Sequence, residues 1–291
     1  MEVKIGDLVE RASHQRDLLF RVIELREDHT SKVAVLFGEE FRLVADAPLE
    51  DLIIVSSHEY RERSKEGKNK LDRTYQLFQQ DYRLVQQRNE YYSTSGYTAD
   101  VNYFQLPGKV LHLDGDPLYL RKCLDLYAKI GVPVQGVHCK EEEMPQRINE
   151  LLVQFQPDIL VITGHDSYTK SKGKIGDLHA YRNSRHFVQA VKEARQKYPS
   201  LDQLVIFAGA CQSHFEALIR AGANFASSPS RINIHALDPV YVVAKISFTS
   251  FVDRVNVWDV VRNTITGERG LGGIDTRGIL RTGLPFQHYE D

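Results

Sequence analysis

Two short stretches concentrate the side chains able to do covalent chemistry. Ile162-Thr163-Gly164-His165-Asp166-Ser167-Tyr168 follows one apolar run, and Phe207-Ala208-Gly209-Ala210-Cys211-Gln212-Ser213 follows another. A thiol becomes a useful nucleophile when its anion is favoured and a base stands nearby. Cys211 falls where a strand should give way to a helix, so free N–H groups and the helix dipole can favour its anion. Its own amide can point at a developing oxyanion. His165 precedes it by 46 residues with one helical segment between, a span that suits a right-handed crossover between nearby parallel strands. An imidazole there can protonate a leaving amine and later activate water. The small neighbours Gly209 and Ala210 allow a substrate backbone to come close.

These residues need elements that bring strand ends together, and the pattern after Pro107 supplies them. Residues 109–113, 133–138, 158–163, 204–208 and 224–227 read as strands, several of them apolar throughout. Helical periods lie between them, over 118–130, 144–155, 180–197 and 214–221. Such an alternation predicts an α/β unit, 106–291, built on a mainly parallel sheet covered on both faces. Function in such sheets sits beyond the carboxyl ends of the strands. Asp114, Asp116, His138, Cys139, His165, Asp166 and Cys211 all fall there. Upstream, short β-prone runs at 3–11, 18–25, 32–36, 40–44 and 52–55 are parted by Gly6-Asp7, Asp28-His29-Thr30 and Gly38. They predict a small SH3-like β-barrel over residues 1–56. Residues 57–105 read as a helical connector with a stripe of Leu71, Tyr75, Phe78, Tyr82 and Val85, and 91–103 as loop.

The pairing of a hydrophobic strand ending in His with a second ending in Ala-Cys resembles the caspase-like cysteine peptidases, the group of legumain, clostripain, gingipains, separase and metacaspases. Gly209-Ala210-Cys211-Gln212-Ser213 is close to the caspase form, which has its His about 50 residues upstream. The group places Gly after the His and uses that amide in the oxyanion hole; here Asp166 holds the position. Beyond this, LVIFAGACQSHFEALIRAGANFASSPSRINIHALDPVYVVAKISF, DILVITGHDSY, GKVLHLDGD and GLGGIDTRG look like the sporulation-specific YabG peptidases of endospore-forming Firmicutes, end to end. The resemblance implies a cysteine endopeptidase in the cytoplasm of the mother cell, associated with the forming coat, whose partners are spore coat and morphogenetic proteins. It implies Cys211 as nucleophile, His165 as general acid/base, and the amides of Cys211 and Asp166 as oxyanion donors. It also places a substrate-binding wall near Asp114 and Asp116 and another near Ser227 and Ser228. An acidic residue in the first wall would suit a basic P1 side chain. The reading of Asp116-Pro117 as a helix start stands beside it, and Asp166 is a candidate to orient His165, to cap the following segment or to face solvent.

Composition narrows the alternatives. A formal charge of −2, with 42% hydrophobic and 26% charged residues, describes an ordinary globular chain. It offers no electrostatic case for nucleic acid. No apolar run approaches the ~18 residues that span a bilayer, and the first residues lack the core of a signal peptide. Three cysteines, Cys123, Cys139 and Cys211, exclude a disulfide scaffold and fit a reducing compartment. Eleven histidines without zinc spacing predict no metal and no cofactor. Residues 267–283, rich in Gly and Arg, read as a mobile loop with Arg269, Arg277 and Arg281 as candidate self-cleavage sites. Two other functions use the same residues. A class I glutamine amidotransferase would pair Cys211 with His288 and Glu290, and a coat scaffold would use none of them.

Overall fold

The computed structural model describes residues 3–28, 31–94 and 103–283. Five strands, β1 (Leu8–Arg11), β2 (Phe20–Asp28), β3 (Ser31–Gly38), β4 (Val44–Pro48) and β5 (Leu52–Ile54), form an antiparallel sheet in the order β4-β3-β2-β1-β5. Val9, Phe20, Val22, Ala34 and Leu36 make its buried face. The expected fourth strand is displaced. Residues 40–44 look β-prone, yet Glu40 to Leu43 loop out and the strand begins only at Val44. The cause is a tight reversal, in which the Gly38 amide donates to the Leu43 carbonyl at 2.8 Å and the Leu43 amide to that of Phe41 at 2.7 Å.

Helix α1 (Ser57–Thr94) is a single 38-residue rod. The Tyr75, Phe78 and Tyr82 stripe holds it to the body: the Phe78 ring lies 5.9 Å from that of Tyr241, and the Tyr82 ring 4.5 Å from that of Phe248. The helix takes in residues 91–94, where a loop was expected, because polar residues with good helix propensity carry it past its apolar stripe. The rest of that expected loop, 95–102, lies outside the described residues.

The second sheet carries the candidate chemistry. Its order is β13-β11-β10-β9-β7-β8. The strands are β7 (Val110–Asp114), β8 (Val134–His138), β9 (Ile159–Thr163), β10 (Val205–Ala208), β11 (Phe225–Ser227) and β13 (Leu271–Gly273); β6 (Phe104–Leu106) lies just before. The first five of these are parallel and β13 is antiparallel on the edge. Every residue of β7, β9 and β10 is buried, because helices cover both faces. Val110, Val161, Val205 and Phe207 face α2 (Pro117–Ile130) and α6 (Asp238–Phe248). Leu111, Leu160, Ile162 and Ile206 face α3 (Met144–Phe155) and α4 (Ser184–Lys197). The fold class is thus α/β with a mixed, mostly parallel sheet.

Helix starts follow local chemistry. Asp116 caps α2, accepting from the Leu118 and Tyr119 amides, with Pro117 in the first turn and Gly131 closing the helix at φ +87°. His214 caps α5 (Phe215–Ala221). The glycine-rich tail corrects the loop expectation for 267–283. It supplies edge strand β13, then β14 (Thr276–Arg277), paired with β12 (Arg254–Val255), and β15 (Arg281–Gly283), paired with β6; α7 (Val257–Val261) precedes it. Gly273 is needed there, since a Cβ would lie 2.4 Å from the carbonyl oxygen of Asn224, just before the neighbouring strand β11. Among the described residues no helix is long and apolar enough to cross a membrane.

Candidate active site

The carboxyl ends of β7, β9 and β10 deliver Asp114 and Asp116, His165, and Cys211 to one place. Cys211 sits on a sharp turn made by Gly209, at φ +109°, and Gln212, at φ +56°. A Cβ at Gly209 would also lie 2.5 Å from Ser227 Oγ, so only glycine lets the chain turn here. The thiol is buried. Its sulfur accepts from the Ile234 amide at 3.4 Å and donates toward the Ile234 carbonyl at 3.7 Å, and the Arg42 main-chain amide lies near enough to favour its anion. Burial pushes its pKa up to about 12, against the pull of those amides and the Arg42 charge.

The His165 ring is held on all sides. Nε2 faces Asp116 Oδ2 at 2.9 Å and Nδ1 faces the Arg42 carbonyl oxygen at 3.3 Å. Phe37 and Tyr119 pack edge-on, with centroids 6.3 and 6.0 Å away. The His165 amide donates to Glu141 Oε1 at 2.7 Å, and the His165 carbonyl accepts from Asn183 Nδ2 at 2.8 Å. Asp116 therefore serves two elements with its two oxygens, Oδ1 capping α2 and Oδ2 steadying the imidazole. Burial works to raise its pKa, but the hydrogen bonds from His165 and the cap amides hold it below the ordinary value.

Of the three readings of Asp166, its contacts fit the one in which it caps the segment that follows. Its carboxylate turns away from the imidazole and accepts from the Ser167 amide at 2.9 Å, the Asn183 amide at 2.8 Å, Ser213 Oγ at 2.8 Å and Ser184 Oγ. It ties the loop after β9 to the start of α4 and to the Cys211 turn, and burial raises its pKa. Neither its main-chain amide nor that of Cys211 has a hydrogen-bond partner among the described residues.

Asp114 is fully buried and forms an ion pair with the guanidinium of Arg42, itself fully buried. Thr163 Oγ1 also donates to Asp114 at 3.0 Å, and the Asp116 amide at 3.0 Å. Burial alone would raise the Asp114 pKa, yet Arg42 holds it far below the carboxylate range. Ser227 and Ser228 are buried, their hydroxyls donating to the Ala210 carbonyl at 2.8 Å and the Ile232 carbonyl at 2.7 Å. Cys123 lies beside Arg42 at 3.2 Å and Cys139 is buried under β8. His288 and Glu290 fall outside the described residues. No group of three or more His, Cys, Asp or Glu among the described residues is arranged to hold a metal ion.

Sequence reasoning missed Arg42 and Glu141. Nothing in the local pattern marks Arg42, which arrives from the other sheet.

A family model described as YabG peptidase U57 matches residues 4–285. The chain belongs to this family. The Sporulation-specific protease YabG of Bacillus subtilis (strain 168) is 59% identical over 290 residues, covering 99% of both chains. Membership in the YabG peptidases makes the chain a hydrolase of peptide bonds. The family model spans both sheets, so the loop that carries Arg42 lies within the matched region.

Proposed function

We propose that this chain is a cysteine endopeptidase with Cys211 as nucleophile and His165 as general acid/base, acting during sporulation on spore coat and morphogenetic proteins in the mother cell. The observation that carries the reading is that the main chain of Arg42 lies between the Cys211 sulfur and His165 Nδ1. A peptide there meets a nucleophile on one side and a proton carrier on the other. Cys211 Sγ attacks the scissile carbonyl carbon as His165 Nδ1 takes the thiol proton. His165 then delivers that proton to the leaving amine as the C–N bond breaks, leaving a thioester. Water, deprotonated by His165, attacks the thioester and frees the acid. Asp116 keeps the ring in place, and the unpartnered amides of Cys211 and Asp166 receive the oxyanion.

Asp114 is the selector in this reading. A buried carboxylate at the base of a pocket favours arginine at P1, because guanidinium pairs with carboxylate through directed hydrogen bonds. Ser227 and Ser228 shape the opposite wall by holding the Ala210 and Ile232 carbonyls. We read residues 106–291 as a caspase-like peptidase domain, 57–105 as a helical connector and 1–56 as an SH3-like unit.

The test is cleavage of an arginyl fluorogenic peptide and of a spore-coat extract by wild type, Cys211→Ala and His165→Ala. The dyad requires that both variants lose both activities, by at least ~100-fold for His165→Ala. Full activity of His165→Ala would overturn it and make His288 the next base to test. Coat cleavage without peptide cleavage would keep the dyad and discard the basic pocket.

A further inference from the structure

We propose that Arg42 is the protein's own occupant of the pocket that reads a substrate arginine, so that the resting chain is closed to substrate until the Glu40–Leu43 segment leaves. The proposal rests on the dyad and pocket assigned above and adds the occupant and the rest of the pocket wall.

Fully buried arginine is rare, and a buried ion pair adds little net stability. The Arg42 guanidinium is nonetheless enclosed completely. It pairs with Asp114, donates to the Ala236 carbonyl at 3.3 Å and to Cys123 Sγ at 3.2 Å, and leaves its Nε without a partner. A side chain used only to fasten two sheets would not need to be placed beside a nucleophile and a general acid. The main chain around it is docked onto the segment that flanks the Cys211 sulfur. The Ala236 amide donates to the Glu40 carbonyl at 3.2 Å, Phe41 bridges His235 in antiparallel fashion, and the Phe41 ring meets that of His235 edge-on at 6.3 Å. One antiparallel bridge and one further main-chain bond thus dock the turn that carries Arg42 against residues 235 and 236. Tyr119 Oη donates to the Phe41 carbonyl at 2.5 Å and to that of Gly38, fastening the segment in place.

The pose is that of an inhibitor rather than a substrate about to be cut. The Arg42 amide faces the Cys211 sulfur, and its carbonyl oxygen faces His165 instead of the Cys211 amide. The carbonyl carbon is therefore not presented to the sulfur, and an incoming arginine finds Asp114 already paired. Apparent substrate affinity is reduced by the fraction of chains that are open. The pocket thus consists of Asp114, Cys123 Sγ and the Ala236 carbonyl, and it accepts a guanidinium.

The proposal is tested by iodoacetamide labelling of Cys211, read by peptide mapping with Cys139 as internal reference, in wild type, Arg42→Ala and Tyr119→Phe. Labelling should be at least ~10-fold faster in Arg42→Ala and measurably faster in Tyr119→Phe, with arginyl-peptide hydrolysis rising in parallel. Agmatine should refill the vacated pocket, slowing labelling and raising the melting temperature of Arg42→Ala but not of wild type. Unchanged labelling in a folded Arg42→Ala, or hydrolysis that falls while agmatine has no effect, overturns it. If Arg42→Ala does not fold, Tyr119→Phe labelling at the wild-type rate overturns it instead. Faster labelling with agmatine protection but no hydrolysis in any variant would sink the dyad and leave the occupant standing.

Discussion

Asp116→Asn separates the two tasks of one carboxylate. The Oδ1 contacts to the Leu118 and Tyr119 amides, 2.8 and 3.1 Å, are ordinary cap bonds, and asparagine caps a helix about as well as aspartate. The Oδ2 contact to His165 at 2.9 Å is charge-assisted. Such bonds contribute about 1.5–3 kcal/mol against roughly 0.5–1.5 kcal/mol for neutral ones, so the substitution should cost ~1 kcal/mol of stability. The effect on rate should be much larger. With His165 as the proposed general acid/base, the imidazole becomes a cation in the step that precedes amine departure and the amide cannot stabilise it, so hydrolysis should fall ~100-fold or more. Because the folded pKa of Asp116 is lowered, its stabilising contribution is present above the ordinary carboxylate range and lost as pH falls through the folded value. The stability gap between wild type and Asp116→Asn should therefore close below about pH 4. Urea melts from pH 3 to 7, set beside initial rates on an arginyl peptide, measure both. A folded Asp116→Asn with activity within threefold of wild type would refute the claim that this carboxylate steadies His165.

Two further outcomes follow from other buried carboxylates. Asp166→Ala should lower stability by ~3–5 kcal/mol, because it strands the Ser213 and Ser184 hydroxyls and the Asn183 amide; urea melts would settle this, and a loss below ~1 kcal/mol would contradict the bracing role. Asp238, buried and bonded by the Ile265 and Thr266 amides, has its pKa pushed up to about 6 by that burial. The folded chain then holds a proton that the unfolded chain releases near pH 4, so stability falls as pH rises between about 4 and 6, by up to ~1.4 kcal/mol per unit. Asp238→Asn should flatten that slope, and an equally steep slope in the variant would show that another group is responsible.

The strand ends were legible because residues 159–162 and 205–208 are apolar throughout and too short for helices, the pattern of a parallel strand covered on both faces. His165 and Cys211 follow from where those runs stop. The partner of His165 was not legible. Asp166 is its neighbour in sequence, but successive side chains of an extended chain point to opposite sides, so Asp166 turns toward α4 while Asp116 comes from the cap of α2, beyond another strand. Asp116-Pro117 did reveal a helix cap, and a cap uses one oxygen without declaring what the other does. Arg42 was hidden more deeply: between Phe41 and Leu43 it has the pattern of a strand residue, and its partner Asp114 lies on the other sheet. A long-range ion pair leaves no local periodicity to read.

The order in which the chain is made bears on when it can act. The segment 234–238 that flanks the Cys211 sulfur is secured by residues that come later, the His235 amide by Thr266 Oγ1 at 2.9 Å and Asp238 by Ile265 and Thr266. The Ser228 amide likewise donates to the Gly270 carbonyl at 2.6 Å, and edge strand β13 closes on β11. Arg42, by contrast, lies in the loop between β3 and β4 of the first sheet to be synthesised, and domains tend to fold as they emerge. On the proposed reading of the site, the stopper exists before the socket, and the socket hardens only after Cys211 is in the chain. If Arg42 guards the site as proposed, a protease assembled in that sequence passes through translation without an interval in which a finished, unguarded site meets its own unfolded remainder.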